Sequence, residues 1–377
     1  MSIDEKALEL HKKNKGKITT KLRDEVIDQE KLSAYYTPGV AAISKAIAEN
    51  PNKLKEYTWT NNLVAVISDG SSVLGLGNIG GKASMPVMEG KALLFKHFAN
   101  IDSVPIVLNT QNTEEIIQTI KNIAPSFGAI NLEDFAAPKC FEIEERLKTE
   151  LDIPVFHDDQ HGTAVVVLAG LINAVKVVGK KLEETKIVIV GAGAAGTAIT
   201  KLLHRYAKPE IILVDSKGAI SQNRTGLDSQ KKELLDITNP NNIDGDLSNT
   251  LENADVFIGV SKADLLTKEH IKRMADNPIV FALANPNPEI SPQLAKEAGV
   301  AVLATGRSDL PNQVNNALAF PGIFRGALDN GVQKITDEHK IAAAETIASL
   351  VKNPNPDEII PSIMNKELVP AIAKVIV

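Results

Sequence analysis

Residues 186 to 196 read KIVIVGAGAAG, and the fold class turns on this stretch. The run KIVIV predicts a buried strand, the glycines at 191, 193 and 196 follow it directly, and the TAITKLLHRY that comes next has helical spacing. Strand, GxGxxG turn and helix in that order make the dinucleotide-binding fingerprint. Gly191 makes the tight turn, Gly193 lets backbone approach a pyrophosphate, and Gly196 lets the helix pack on the strand, with Ala194 and Ala195 completing the turn. The first turn of such a helix offers free N–H groups and a partial positive charge to phosphates. Downstream, IILVD ends at Asp215, a carboxylate placed to accept hydrogen bonds from ribose hydroxyls, which favours NAD. Ser216 and Lys217 follow at once and are able to hold a 2'-phosphate, so NADP stays open.

Working outward, ADVFIG, PIVFALAN and VAVLAT continue the series at βα spacing. Before it, strands are expected at residues 63–68, 104–109, 129–132 and 153–156, separated by helical runs, and TAVVVLAGLINAVKVV from Thr163 reads as a buried helix. The expected fold is α/β in two domains. Residues 1–160 form an N-terminal catalytic and metal-binding domain, 161–335 a Rossmann-type doubly wound dinucleotide domain, and 336–377 a helical tail packing on the first domain.

A chain of 377 residues has room for two cores, and its 41 Lys and Arg against 47 Asp and Glu give a net charge of −6. That balance supplies no global basic field for nucleic acid or anionic membrane, and 4% aromatic residues supply few stacking platforms. Cys140 is the single cysteine, the first twenty residues lack a signal-like apolar run, and no uninterrupted apolar stretch has spanning length. A cytoplasmic protein bound neither to nucleic acid nor to membrane is expected.

In the first domain, Glu133 and Asp134 close one expected strand (INLEDF), and Asp158 and Asp159 follow another (FHDDQHGTA). If those strands are neighbours, four carboxylates converge at the sheet edge where α/β proteins bind ligands. Crowded carboxylates repel, so convergence requires a cation or raised pKa values. An all-oxygen set suits Mg2+ or Mn2+; His157 and His161 are conceivable zinc ligands, but no cysteine stands near them. Asp159 is also placed to cap the following helix. Lys91 opens an apolar helical run where burial is expected to lower its pKa toward that of a working base, with Lys82 the more exposed alternative.

Eight motifs occur in order: YTPGV, LGLGNIG, the lysine of PVMEGKALLF, NLEDF, FHDDQHGTA, the glycine fingerprint, FALANP and VNNALAFPG. Over nearly the whole chain they resemble the malic enzyme family in its short bacterial form. The resemblance implies oxidative decarboxylation of malate to pyruvate and CO2 with NAD or NADP and a divalent metal. It matches Tyr36 to the general acid, Lys91 to the general base and Asp158 to the carboxylate paired with that lysine. Glu133, Asp134 and Asp159 match metal ligands, while Asn285 and Asn316 match contacts to the substrate or nicotinamide. Ser72 stands where longer relatives carry an arginine for a substrate carboxylate, and Arg307 is the candidate substitute. Oxaloacetate decarboxylation as the main role, a malolactic-type reaction and a non-catalytic dinucleotide sensor are the rival readings. A homodimer is expected, with the charged arm of residues 1 to about 35 against the neighbour.

Overall fold

A computed structural model describes residues 3–73 and 75–377. Two parallel sheets carry the site. The first has strands β1 (Leu63–Ser68), β2 (Asp102–Val107), β3 (Ala129–Leu132) and β4 (Val155–His157) in the order β2-β1-β3-β4. Every residue of β1 is buried, as an apolar run covered on both faces should be. Leu132 pairs with His157, so the segments leaving β3 and β4, with their two acidic pairs, emerge side by side.

The second sheet has β5 (Lys186–Val190), β6 (Glu210–Asp215), β7 (Gly218–Ala219), β8 (Val256–Gly259), β9 (Ile279–Ala282) and β10 (Val302–Thr305) in the order β10-β9-β8-β5-β6-β7. The chain winds outward in both directions from β5, so the glycine turn lies at the point where strand order reverses, which is where such sheets bind ligands. The edge strand β7 runs antiparallel to β6.

Among the boundaries that differ from the sequence expectation, three bear on the site. β2 starts two residues early and contains Pro105, which an edge strand tolerates. β4 starts at Val155 because Pro154, having no N–H, contributes only its carbonyl, which accepts from the Ile130 amide. The long helix begins at Asp158 rather than Thr163, since two aspartates in a first turn complement the positive end of a helix.

That helix, Asp158–Val177, links the two sheets. It packs on the Ala194–Tyr206 and Asp337–Ser349 helices, and Asn173 donates to the carbonyls of Ala348 and Ile359. Among the described residues it is the one helix long and apolar enough to cross a membrane, and it is mostly buried inside the fold. On the other flank Phe95 of the Gly80–Ala99 helix meets Phe320 and Phe324 of the Phe320–Asn330 helix edge to face, with centroids 4.7 and 5.1 Å apart. The Leu368–Ala373 helix lies against Phe320–Asn330. The first three helices, Ile3–Asn14, Gln29–Tyr35 and Val40–Glu49, contain no buried residue.

Candidate active site

The four carboxylates and the lysine meet. Lys91 reaches across from the Gly80–Ala99 helix to donate to Asp158 Oδ2 at 2.5 Å and pairs with Glu133 Oε1 at 3.0 Å, only 8% exposed and 4.8 Å from the centroid of the Phe320 ring. Lys82, nine residues earlier on the same helix, is exposed. Glu133, Asp134 and Asp159 each present an oxygen to a common space, all within 4.8 Å of one another.

Asp134 has φ +59, a left-handed conformation that aspartate tolerates better than most residues. Its amide donates to Asp159 Oδ2 at 2.7 Å and its carbonyl accepts from the Ser72 amide at 2.9 Å, so the turn is held on both sides. Asp159 therefore accepts from a neighbouring segment instead of capping its own helix. Gly162 is required one turn on, because a Cβ there would collide with Asp158 Oδ1 and crowd Asn316.

Burial and mutual repulsion push the carboxyls up: Glu133 to about 7, Asp134 to about 9, Asp158 to about 6, with Asp159 raised as well. Lys91 departs from the sequence expectation. Burial pulls its ammonium down, but Asp158, Glu133 and Asp159 raise it by more, and the net direction is up. The protein atoms alone hold this lysine protonated.

The donor set fits a divalent cation. Asp134 Oδ2 and Asp158 Oδ1 are buried without a hydrogen-bond partner, a costly state for carboxylate oxygens that a cation would relieve. Zinc fits less well. His161 is bonded to Glu144 at 2.8 Å, away from the cluster, and its ring is pushed down to about 4, chiefly by burial. Both ring nitrogens of His157 lack partners, and Nδ1 lies 3.8 Å from Asp159 Oδ2. Sequence reasoning missed Glu144, which also accepts from the His157 amide and from Gln160. Its signal was an acid between Ile143 and Leu147 on the buried face of a helix. Asn131, which donates to Glu133 Oε2 at 3.0 Å, was missed too.

A cleft of about 210 Å³ joins this cluster to the second sheet; Asp159, Thr163, Ala195, Asn285 and Asn316 line it. Thus one metal-ligand candidate, one residue of the glycine turn and both predicted asparagines share a wall. Gly191 has φ +119, with the Val260 carbonyl where a Cβ would point, and a Cβ at Gly196 would collide with the Gly191 carbonyl. A Cβ at Gly193 would meet nothing, leaving that side to a ligand.

Three residues have surroundings that the sequence does not disclose. Asp215 is held below the usual carboxylate range, at about 2: burial opposes the shift, but bonds from Arg224, the Lys217 amide and Lys231 overcome it. Arg307 is bonded twice to Asp309 and lines a separate cavity with Asp264 and Leu310. Tyr36 is 68% exposed and does not line the cleft.

Comparison with known proteins agrees with this geometry. The family described as malic enzyme, N-terminal domain, matches residues 11–148, and malic enzyme, NAD binding domain, matches residues 160–376. The chain belongs to the malic enzyme family. It is 55% identical over its whole length to the bifunctional malic/malolactic enzyme of Bacillus subtilis, of which it covers 92%. It is 57% identical over 96% of its length to the NAD-dependent malic enzyme of Geobacillus stearothermophilus, of which it covers 76%. The crystal structure of an NAD-dependent malic enzyme from Thermotoga maritima superposes with a TM-score of 0.95 at 52% identity, covering 98% of each chain. The first match takes in β1 to β3 and the second the whole six-stranded sheet, with β4 between the two matches.

Proposed function

We propose that this malic enzyme family member oxidises malate at C2 and decarboxylates the product, giving pyruvate, CO2 and reduced NAD. The carrying observation is the placement of Lys91 between Asp158 and Glu133, beside a cluster of carboxylates opening on the cleft that the glycine turn also lines.

Glu133, Asp134 and Asp159 would hold a Mg2+ or Mn2+ ion, and the turn at Gly191, Gly193, Ala194, Ala195 and Gly196 would hold the dinucleotide. When bound, the ion would supply a Lewis acid for the C2 oxygen and the dinucleotide would supply the hydride acceptor. A cation held there would offset the charges of Glu133 and Asp159, two of the acids that raise Lys91, while its burial stays, which moves the lysine toward the free amine that takes the C2 hydroxyl proton. Asp158 keeps the Lys91 ammonium oriented after transfer. Oxaloacetate then loses its C4 carboxylate as CO2, and the C2–C3 enolate left behind takes a proton at C3 from an acid, the role that the family resemblance gives Tyr36, which in the single chain stands exposed outside the cleft. Asn285 and Asn316 fix the substrate and nicotinamide ends of the cleft. NAD is the preferred dinucleotide because Asp215 is ionised, while Arg224 and Lys231 beside it make NADP tolerable.

Stripping divalent ions should abolish NADH formation from malate, and Mn2+ should restore it; full activity in excess chelator would refute the reading. A malolactic variant of the chemistry is favoured by one observation, the name of the Bacillus subtilis relative, and is separated by assaying lactate against pyruvate.

A further inference from the structure

A second cavity, of about 430 Å³, lies on another face of the helix that carries Asp158 and Asp159, and none of its lining residues lines the cleft. Asp159, Thr163 and Val166 turn one stripe of that helix to the cleft, while Gln160, His161 and Ala164 turn the next to the cavity. The Lys139–Glu150 helix, the Ala194–Tyr206 helix behind the glycine turn, and the Asp337–Ser349 helix with the turn before it close the other sides.

Its walls gather bases as the active site gathers acids. Lys148, Lys201, Lys334 and Lys340 reach it from those three elements, and His161 from the fourth, against Glu144, Glu145 and Asp337. The bases feel one another. Burial lowers the Lys340 ammonium from its ordinary value and the charge of Lys148 lowers it further; His161 is lowered by burial, with Lys340 and Lys148 adding to that against the pull of Glu144.

The acids in reach do not neutralise this set. Glu144 has about four acceptor positions, and four donors occupy them: the His157 amide at 3.0 Å, Lys148 at 2.6 Å, Gln160 at 3.3 Å and His161 at 2.8 Å. Lys340, only 6% exposed, has a single bond, to Asp337 Oδ1 at 2.9 Å, so two of its three N–H donors are unused. A buried ammonium short of acceptors is unfavourable unless something else supplies them. The Lys334 side chain has no partner among the described residues, and Lys201 is paired with the exposed Glu233.

The chemistry of the missing partner follows from the donors. Lysines are point charges with three donors each, and here they converge from three elements with no arginine fork among the lining residues, which suits a tetrahedral oxyanion better than a planar carboxylate. Thr149 and Thr197 add hydroxyl donors, Phe141 and Leu202 supply apolar wall, and the volume exceeds what a bare ion needs.

We infer that this cavity is a second ligand site, which takes the phosphate group of a small metabolite on Lys340 and Lys334 with Lys148 and Lys201 beside them. The ligand touches both the helix that carries Asp158 and Asp159 and the helix behind the glycine turn, on the faces turned away from the cleft. The probe is inorganic phosphate, titrated calorimetrically into the full chain at low ionic strength with NADH saturating, so that the glycine turn is already filled. One phosphate per chain should bind with a dissociation constant of about 1 mM or tighter. Lys340→Met keeps the side chain's length and removes its charge, and it should weaken phosphate by at least about tenfold. Lys334→Ala, at an exposed position where folding is not at stake, should weaken it by about threefold and decides the matter if Lys340→Met fails to fold. No binding to the wild-type chain overturns the site. Binding that both variants leave unchanged is an adventitious ion only, and overturns it as well.

Discussion

The two sheets present their carboxyl edges to one cleft, and the edges are built on opposite plans. Behind β3 and β4 the edge is made of side chains: Glu133, Asp134, Asp158 and Asp159 around Lys91, all buried or nearly so, with carboxylate oxygens left unpartnered. Behind β5 it is made of backbone, with glycines at the turn and alanines at the helix start. The first edge crowds acids whose oxygens a cation would satisfy; the second offers N–H groups and space that suit an anion. On the proposed reading, reaction chemistry belongs to the edge that gathers the perturbed acids around Lys91, and affinity for the dinucleotide belongs to the edge whose turn is backbone.

Breaking the first edge should have the larger consequence. Lys91→Ala removes the base and leaves two buried acids unpaired, so malate oxidation should fall by about 10² to 10⁴-fold in kcat. NADH binding, followed by fluorescence, should be unchanged. Loss of both together would mean that the edges are not separable.

A smaller effect is expected at the ribose end of the second edge. Asp215→Ser frees Arg224 and Lys231 from their carboxylate, and the ratio of kcat/KM values should move toward NADP by about tenfold, or about 1.4 kcal/mol. A ratio that moves toward NAD, or stays where it was, would show that these cations do not face the 2'-position.

The smallest expected signal concerns the order of steps. If Tyr36 acts after CO2 leaves, Tyr36→Phe slows a late step, and malate deuterated at C2 should show a smaller primary isotope effect on kcat than in the wild type. An effect as large or larger would place Tyr36 at hydride transfer.

Much of this contrast is legible in the sequence. The glycine turn was legible because its function depends on the absence of side chains, which a sequence displays directly. The carboxylate cluster was legible because β-branched runs fix strand ends, and parallel neighbours bring those ends together. The charge state of Lys91 was not, since it is set by acids more than forty residues away in two other segments. Nor was the surrounding of Asp215, where Arg224 and Lys231 return from a loop and a short helix that no periodicity connects to β6. Arg307, a reasonable stand-in for the arginine missing at position 72, has a nearer partner in Asp309.

The division between the edges is tested most directly by titrating Mn2+ calorimetrically into wild-type and Asp159→Ala protein, with NADH binding measured on the same samples. Mn2+ affinity should fall by at least about tenfold in the variant while NADH affinity stays within about twofold. Unchanged Mn2+ affinity, or equal loss of both ligands, would contradict the assignment of the metal to the first sheet and the dinucleotide to the second.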